Sequence, residues 1–226
     1  MVLQKTVISI GIVTAAIIVI LLIFHAAIKR YDPQQEPKGL VLLAIMGVSY
    51  VDGLIKNSTN EKVASQLGPY LASAMVYIFI SNIAGLFSVE PPTSNYSVTL
   101  TLALITCILI EYFAIQAKGL KGQVKSLFEP LAPFVVINLI SKLGTLLSLS
   151  LRLFGNILSG SILMSVIYQM LAQVSAKIPL IGGFNFIAVI IAPVLHFYFD
   201  LFSGFMQTYL FSVLSVSFIG NELPDK

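Results

Sequence analysis

The chain has 226 residues, 57% of them hydrophobic and 10% charged, with a mean hydropathy of +0.94 and a formal net charge of +3. A soluble domain carries charge on about a quarter of its residues, so this composition excludes a soluble fold and describes an integral membrane protein. The basic residues lie between apolar segments and not in a stripe alternating with aromatics, which excludes nucleic-acid binding, and the single cysteine, Cys107, excludes an internal disulfide or a cysteine metal cluster.

In chain order, the first apolar stretch covers residues 7–28 and is closed by Lys29 and Arg30. It is long enough to span, too long for a signal-peptide core and not followed by a small-residue cleavage site, so it reads as a retained helix. The linker YDPQQEPKG follows, with two prolines and three charges that mark a water-exposed turn. The apolar run from Leu40 to Val51 is too short to span and is followed by Asp52 and Lys56; residues 38–58 read as an interfacial helix. Spans follow at 67–89 and 98–117, separated by the Glu90–Asn95 turn, and the second ends in the basic loop KGLKGQVK. Residues 131–174 are apolar for about 44 residues, roughly twice what an upright span needs at about 1.5 Å per residue, so they must tilt, bend or fold back. Gly182 and Gly183 break the next connection, and the apolar stretch 184–219 is again too long for one upright helix. The fold class is therefore an all-α integral membrane protein, a single membrane domain over 1–226. It has about five membrane helices plus a short interfacial helix, and the last two membrane helices are long and strongly tilted. Asn57 and Asn95 each begin an Asn-x-Ser/Thr triplet, a pattern too short to carry weight.

Five of the thirteen lysines and arginines lie between Lys29 and Lys62 and three between Lys118 and Lys125, whereas the turn around Pro91 has none. The positive-inside rule puts both basic segments in the cytoplasm, with the N-terminus and the Pro91 turn outside and the C-terminus inside.

Arg152 stands inside the apolar run LLSLSLRLFGNILSGSILMSVIYQML. An arginine at the centre of a membrane helix costs about 2.5 to 3.5 kcal/mol on insertion scales and cannot shed its charge, so it marks a functional site. Ser141, Gly144, Ser148, Gly155, Ser159 and Gly160 surround it with small side chains that let another backbone approach closely. Ser148, Arg152 and Ser159 share one side of the helix, with Asn156 one turn on. That face suits a surface past which a carboxylate moves; internal packing is the plainer alternative. On the last segment His196, Asp200 and Gln207 are spaced by four and seven residues, within about 40° of arc, and could line a hydrated path. The competing reading is that Asp200 only neutralises Arg152 and His196 caps a buried carbonyl. Glu111, near the end of its span, reads as an interfacial group beside Lys118. There is no glycine-rich phosphate loop, no pair of metal-ligand histidines and no nucleophile elbow, so no catalytic residue, metal or cofactor is expected.

The run SLSLRLFGNILSG, Ser148 to Gly160, resembles the signature of subunit a of the F-type ATP synthase, bacterial type, the static half of a membrane motor. SNIAGLF at Ser81–Phe87, PPTSNYSVTLTLAL at Pro91–Leu104, AKGLKG at Ala117–Gly122 and MQTYLFSVLSVSFI at Met206–Ile219 carry the same resemblance. It implies that Arg152 is the family's essential arginine facing the ion-binding carboxylate of the rotating c-ring, and that Asn156 and Gln207 are polar channel positions. In the best-known bacterial pattern a glutamate lies nine residues after the arginine and a histidine seven before the glutamine; here those places hold Ser161 and Asp200. Family members exchange which helix carries the acid, so the resemblance makes Asp200 the entry relay and His196, one turn away, its helper. The implied partners are the c-ring, the peripheral-stalk subunit b, the other ATP synthase subunits and membrane lipid, in a bacterial plasma membrane. A ring carboxylate is neutral in lipid and ionised beside the arginine, so two offset half-channels would convert ion flow into rotation. The alternative is a secondary ion transporter with a midplane Arg/Asp site, which predicts two internally similar halves, and no such repeat is visible. A passive scaffold would leave Arg152, Asn156, Asp200 and Gln207 unexplained.

Overall fold

A computed structural model describes the chain except for residues 1, 33–35, 88, 130, 132, 178–184 and 224–226. The helices are α1 (Val2–Lys29), α2 (Leu40–Ser58), α3 (Glu61–Ile83), α4 (Tyr96–Leu127), α5 (Phe134–Ser175), α6 (Phe186–His196) and α7 (Ser203–Glu222). Short 3₁₀ turns at Ala84–Phe87 and Pro92–Ser94 lead from α3 into α4. A six-residue π-helical turn, Phe197–Phe202, joins α6 to α7. No strand occurs among the described residues. The Gly182–Gly183 break expected from the sequence lies outside them, as do three residues of the YDPQQEPKG linker.

Six runs among the described residues are long and apolar enough to cross a membrane: α1, α2, α3, α4, α5 and the combined stretch Ile187–Glu222. The count of about five came from reading α2 as a short apolar run. The helix does not stop at Val51: it continues through Asp52 and Lys56 to Ser58, because no proline or glycine pair breaks it before Thr59. Only Val51 and Ile55 of α2 are buried, so its first half stands clear of the bundle. α5 is one unbroken helix of 42 residues, which removes the fold-back option; at about 1.5 Å per residue it measures roughly 63 Å.

Three apolar layers hold the bundle together. Val51, Ile55, Val63, Leu67, Leu71, Ile110, Phe113, Val216 and Ile219 form the first, at the end marked by Lys118. Ala74, Ile78, Ala103, Leu149, Leu153 and Phe211 form the middle one, in which the narrow buried stripe of α5 meets α3, α4 and α7. Val13, Ile17 and Ala84 form the third, towards the Pro91 turn. At the Lys118 end, Lys118 pairs with Glu222 at 2.8 Å, which ties the end of the α4 span to the end of α7. α4 bends there at Gly119, whose φ of +73° is a left-handed conformation that only glycine adopts without strain. At the opposite end Asn95 caps α4 by accepting from the Ser97 amide at 2.9 Å.

Most of α5 lies outside these layers. Leu147, Leu151, Leu158, Ile162, Leu163 and Val166 are exposed along one long apolar face, as expected for a helix whose outer side meets lipid or another helix instead of water.

Candidate functional site: an unpaired arginine and a carboxylate-lined cavity

Arg152 sits at the edge of that exposed face, half-buried, about one turn from Leu149 and next to Leu153, the side chains that anchor α5. Its guanidinium donates to Ser148 Oγ at 3.4 Å, and among the described residues no carboxylate comes within ion-pair distance of it. The reading in which Asp200 neutralises Arg152 is therefore excluded: the Asp200 carboxylate is engaged by His196. Five donors on a planar cation with one weak partner leave most of its hydrogen-bonding capacity unmet among the described residues.

Asp200 and His196 come from the junction of α6 with the π turn. His196 Nδ1 lies 2.6 Å from Asp200 Oδ2, and His196 Nε2 lies 2.8 Å from the Tyr168 hydroxyl on α5. Both residues line a cavity of about 320 Å³ between α3, the Pro91 turn, α5 and the π turn. Asn82, Glu90, Asn156 and Ser161 also line it. Ser161 uses its hydroxyl on its own helix, donating to the Leu158 carbonyl at 2.9 Å. Gly85 brings the end of α3 close to the acid, since a Cβ there would stand 3.9 Å from the Asp200 carboxylate.

Asn156 occupies a dividing position. Its Oδ1 accepts from Ser203 Oγ at 2.7 Å, which binds α5 to the start of α7. The same residue lines a second cavity of about 280 Å³, shared with Ser159, Tyr198, Phe202 and Met206. Asn156 is thus common to the walls of both cavities and lies one turn along α5 from Arg152.

The expected stripe of His196, Asp200 and Gln207 is only partly realised. The first two meet, but Gln207 is buried at 6% exposure and does not line the Asp200 cavity. The π turn explains this: each of its six residues rotates less than an α-helical residue, so α7 resumes with its faces turned relative to α6. Among the described residues Gln207 Nε2 has no hydrogen-bond partner, although it is buried. A buried amide nitrogen of that kind forfeits about 1 to 3 kcal/mol.

Glu111 does not pair with Lys118, which is taken by Glu222. Instead Lys142 of α5 forms an ion pair with Glu111 Oε1, and Gln123, beyond the Gly119 bend, donates to Oε2 at 3.0 Å. The bend folds the tail of α4 back over its own span and so brings Gln123 to Glu111. Sequence reasoning passed over Glu90, Asn82 and Tyr168. Glu90 was absorbed in a turn, and Asn82 and Tyr168 gave no signal beyond lying in apolar helices. Asn82 is 5% exposed, accepts from Thr93 Oγ1 at 3.2 Å and donates to the Gly204 carbonyl at 3.4 Å, linking α3 to the exit of the π turn.

Crossing helices combined with an unmatched intramembrane cation and a carboxylate-imidazole pair in a cavity define a multi-pass membrane protein built around buried charge, the arrangement found in ion-handling membrane proteins. The family of the ATP synthase A chain matches residues 9–220, and the chain belongs to that family. It is a membrane-embedded subunit of the ATP synthase, associated with the complex's other subunits and not catalytic by itself. It is 29% identical to ATP synthase subunit a of Desulforamulus reducens, over 88% of this chain and 73% of that one. It is equally identical to ATP synthase subunit a of Bacillus pumilus, over 79% and 77% of the two chains, and to that of Streptococcus agalactiae, over 96% and 90%.

Proposed function

We propose that the chain is the stator of an F-type ATP synthase, passing protons or Na⁺ through two offset half-channels to a c-ring and so coupling ion flow to rotation and ATP synthesis. The observation that carries this reading is Arg152: a permanent cation on a small-residue face, with no carboxylate among the described residues to hold it. A ring carboxylate arriving opposite it is stabilised in its ionised form and gives up its ion; leaving for lipid, it must be neutral again. The fixed charge also blocks a direct leak between the two paths, and each charge moved contributes about 2.3 kcal/mol per 100 mV.

In this reading the Asp200 cavity is the outer half-channel. Its wall includes Glu90, Pro91 and Ser94 of the Pro91 turn, which has no basic residue, in keeping with an external location under the positive-inside rule. Asp200 is the entry relay and His196 its helper; Asn156 and Ser161 line the way towards Arg152, and Gln207 supplies a further polar position on α7. Glu111, matched by Lys142 at the other end, anchors α4 to α5. The N-terminus then faces outward and the C-terminus the cytoplasm of a bacterial cell. The 63 Å or so of α5 fit a bilayer core of about 30 Å only at a strong tilt. α2 lies along the cytoplasmic interface, a placement supported by burial confined to its second half and by its end next to α3 and α7. Subunit b of the peripheral stalk is the expected companion that keeps the stator from turning.

The test is Arg152→Ala and Arg152→Lys in an assembled, vesicle-reconstituted complex. Loss of ion-driven ATP synthesis in the alanine variant, with severe impairment even with lysine, which can lose its proton and lacks the planar fork, is the expected result. Coupled synthesis surviving in Arg152→Ala overturns the proposal.

A further inference from the structure

We propose that Tyr168 is a positioning residue for ion entry: its hydroxyl fixes the His196 ring, so that the imidazole in turn holds one oxygen of Asp200 and leaves the other free to receive the incoming ion. The inference rests on the entry role assigned to Asp200. Three side chains, from α5, α6 and the π turn, form a continuous chain, Tyr168 Oη to His196 Nε2 at 2.8 Å and His196 Nδ1 to Asp200 Oδ2 at 2.6 Å. A neutral imidazole has one donor and one acceptor nitrogen. For Nδ1 to donate to the carboxylate, Nε2 must accept, and the phenol hydroxyl is the group that meets it. Asp200 Oδ2 is then committed, while Oδ1 makes no hydrogen bond among the described residues, and Asp200 lines the cavity.

The location of Tyr168 supports the assignment. It lies 16 residues beyond Arg152 on α5, about 24 Å along the helix, so it meets α6 near the Pro91 end of the molecule. The hairpin is fastened there a second time: Asn185 donates to the Tyr168 carbonyl at 3.5 Å, and its Oδ1 accepts from Ser175 Oγ at 3.1 Å and from the Ala188 amide at 3.3 Å. The ring of Tyr168 also lies against that of His196, with centroids 6.2 Å apart. Beyond Tyr168, His196 and Asp200 themselves, the titratable group in the wall of that cavity among the described residues is Glu90, from the α3–α4 connection.

Tyr168→Phe keeps the ring and removes only the hydroxyl. The experiment uses the assembled complex in vesicles under an imposed gradient, titrating outside pH in one arm and outside Na⁺ in the other, with ATP synthesis as the readout. The outside concentration of the driving ion giving half-maximal rate should rise roughly two- to tenfold, the factor corresponding to one neutral hydrogen bond, with the maximal rate nearly unchanged. In a His196→Ala background Tyr168→Phe should add nothing further, because the hydroxyl acts through that ring. An unchanged half-saturation, a loss confined to the maximal rate, or an effect that persists undiminished without His196 each overturns the proposal. Asp200→Asn separates the two levels. If it also leaves synthesis untouched, the entry path itself is wrong; if it impairs synthesis while Tyr168→Phe is silent, only the positioning role is lost.

Discussion

Gly204 lies where α7 leaves the π turn and crosses Asn82 of α3. A Cβ added there would stand 2.9 Å from the Cβ of Asn82. Ordinary carbon contacts begin at about 3.5 Å, and a Cβ cannot rotate away from its helix, so the two helices would have to separate by roughly half an ångström. The separation also breaks the Asn82 to Gly204 carbonyl bond, already long at 3.4 Å, inside a buried seam. Overpacking of this kind costs about 1 to 3 kcal/mol and the hydrogen bond about 1 more, so Gly204→Ala should destabilise the subunit by about 2 to 4 kcal/mol. Reversible unfolding in mixed detergent micelles measures this, with Gly144→Ala as the control, because nothing lies within 4 Å of a Cβ at Gly144. The control should be neutral or slightly stabilising, since alanine is the better helix residue by about 0.5 to 1 kcal/mol. Asn82, the π turn and Asp200 share one cavity wall, so Gly204→Ala should also slow ion-driven synthesis. If the variant unfolds within about 0.5 kcal/mol of the parent chain, the close crossing is not what holds this seam.

Two further outcomes follow from the backbone and the charges at the Lys118 end. Gly119→Ala should lose about 1 to 3 kcal/mol in the same unfolding assay, because φ of +73° is strained for any residue with a Cβ; equal stability would remove the bend at that position from the account. Glu111 and Lys142 are each about one-third exposed, so a double-mutant cycle with Glu111→Gln and Lys142→Gln should give a coupling of no more than about 1 kcal/mol, with ATP synthesis retained; abolished synthesis would assign Glu111 to the ion path.

The sequence made Arg152 visible because an unshielded guanidinium in an apolar run has no structural excuse, while the small residues around it left close packing within the chain as an open alternative. The expected stretches 7–28 and 131–174 come close to α1 and α5, but α3 runs from Glu61 to Ile83, six residues earlier than the expected 67–89, and α4 continues past 117 to Leu127. The orientation of α7 was not legible. Counting His196, Asp200 and Gln207 onto one stripe assumes 3.6 residues per turn throughout, and the six-residue π turn between them breaks that assumption. Partner choice was hidden for a different reason. Glu111 has Lys118 close in sequence, yet Lys118 reaches Glu222 and Glu111 takes Lys142, since the pairing depends on which helix ends meet. Tyr168 and Asn82 look like ordinary residues of membrane helices until α6 and α7 are folded against them.

The most direct test is a structure of the assembled membrane sector that resolves what lies opposite Arg152. The account predicts a ring of neighbouring helices against the exposed face of α5, with an acidic side chain of that ring within about 4 Å of the guanidinium or one water away from it. Finding Arg152 paired with Asp200 or another carboxylate of its own chain, and only lipid beyond it, would contradict the account.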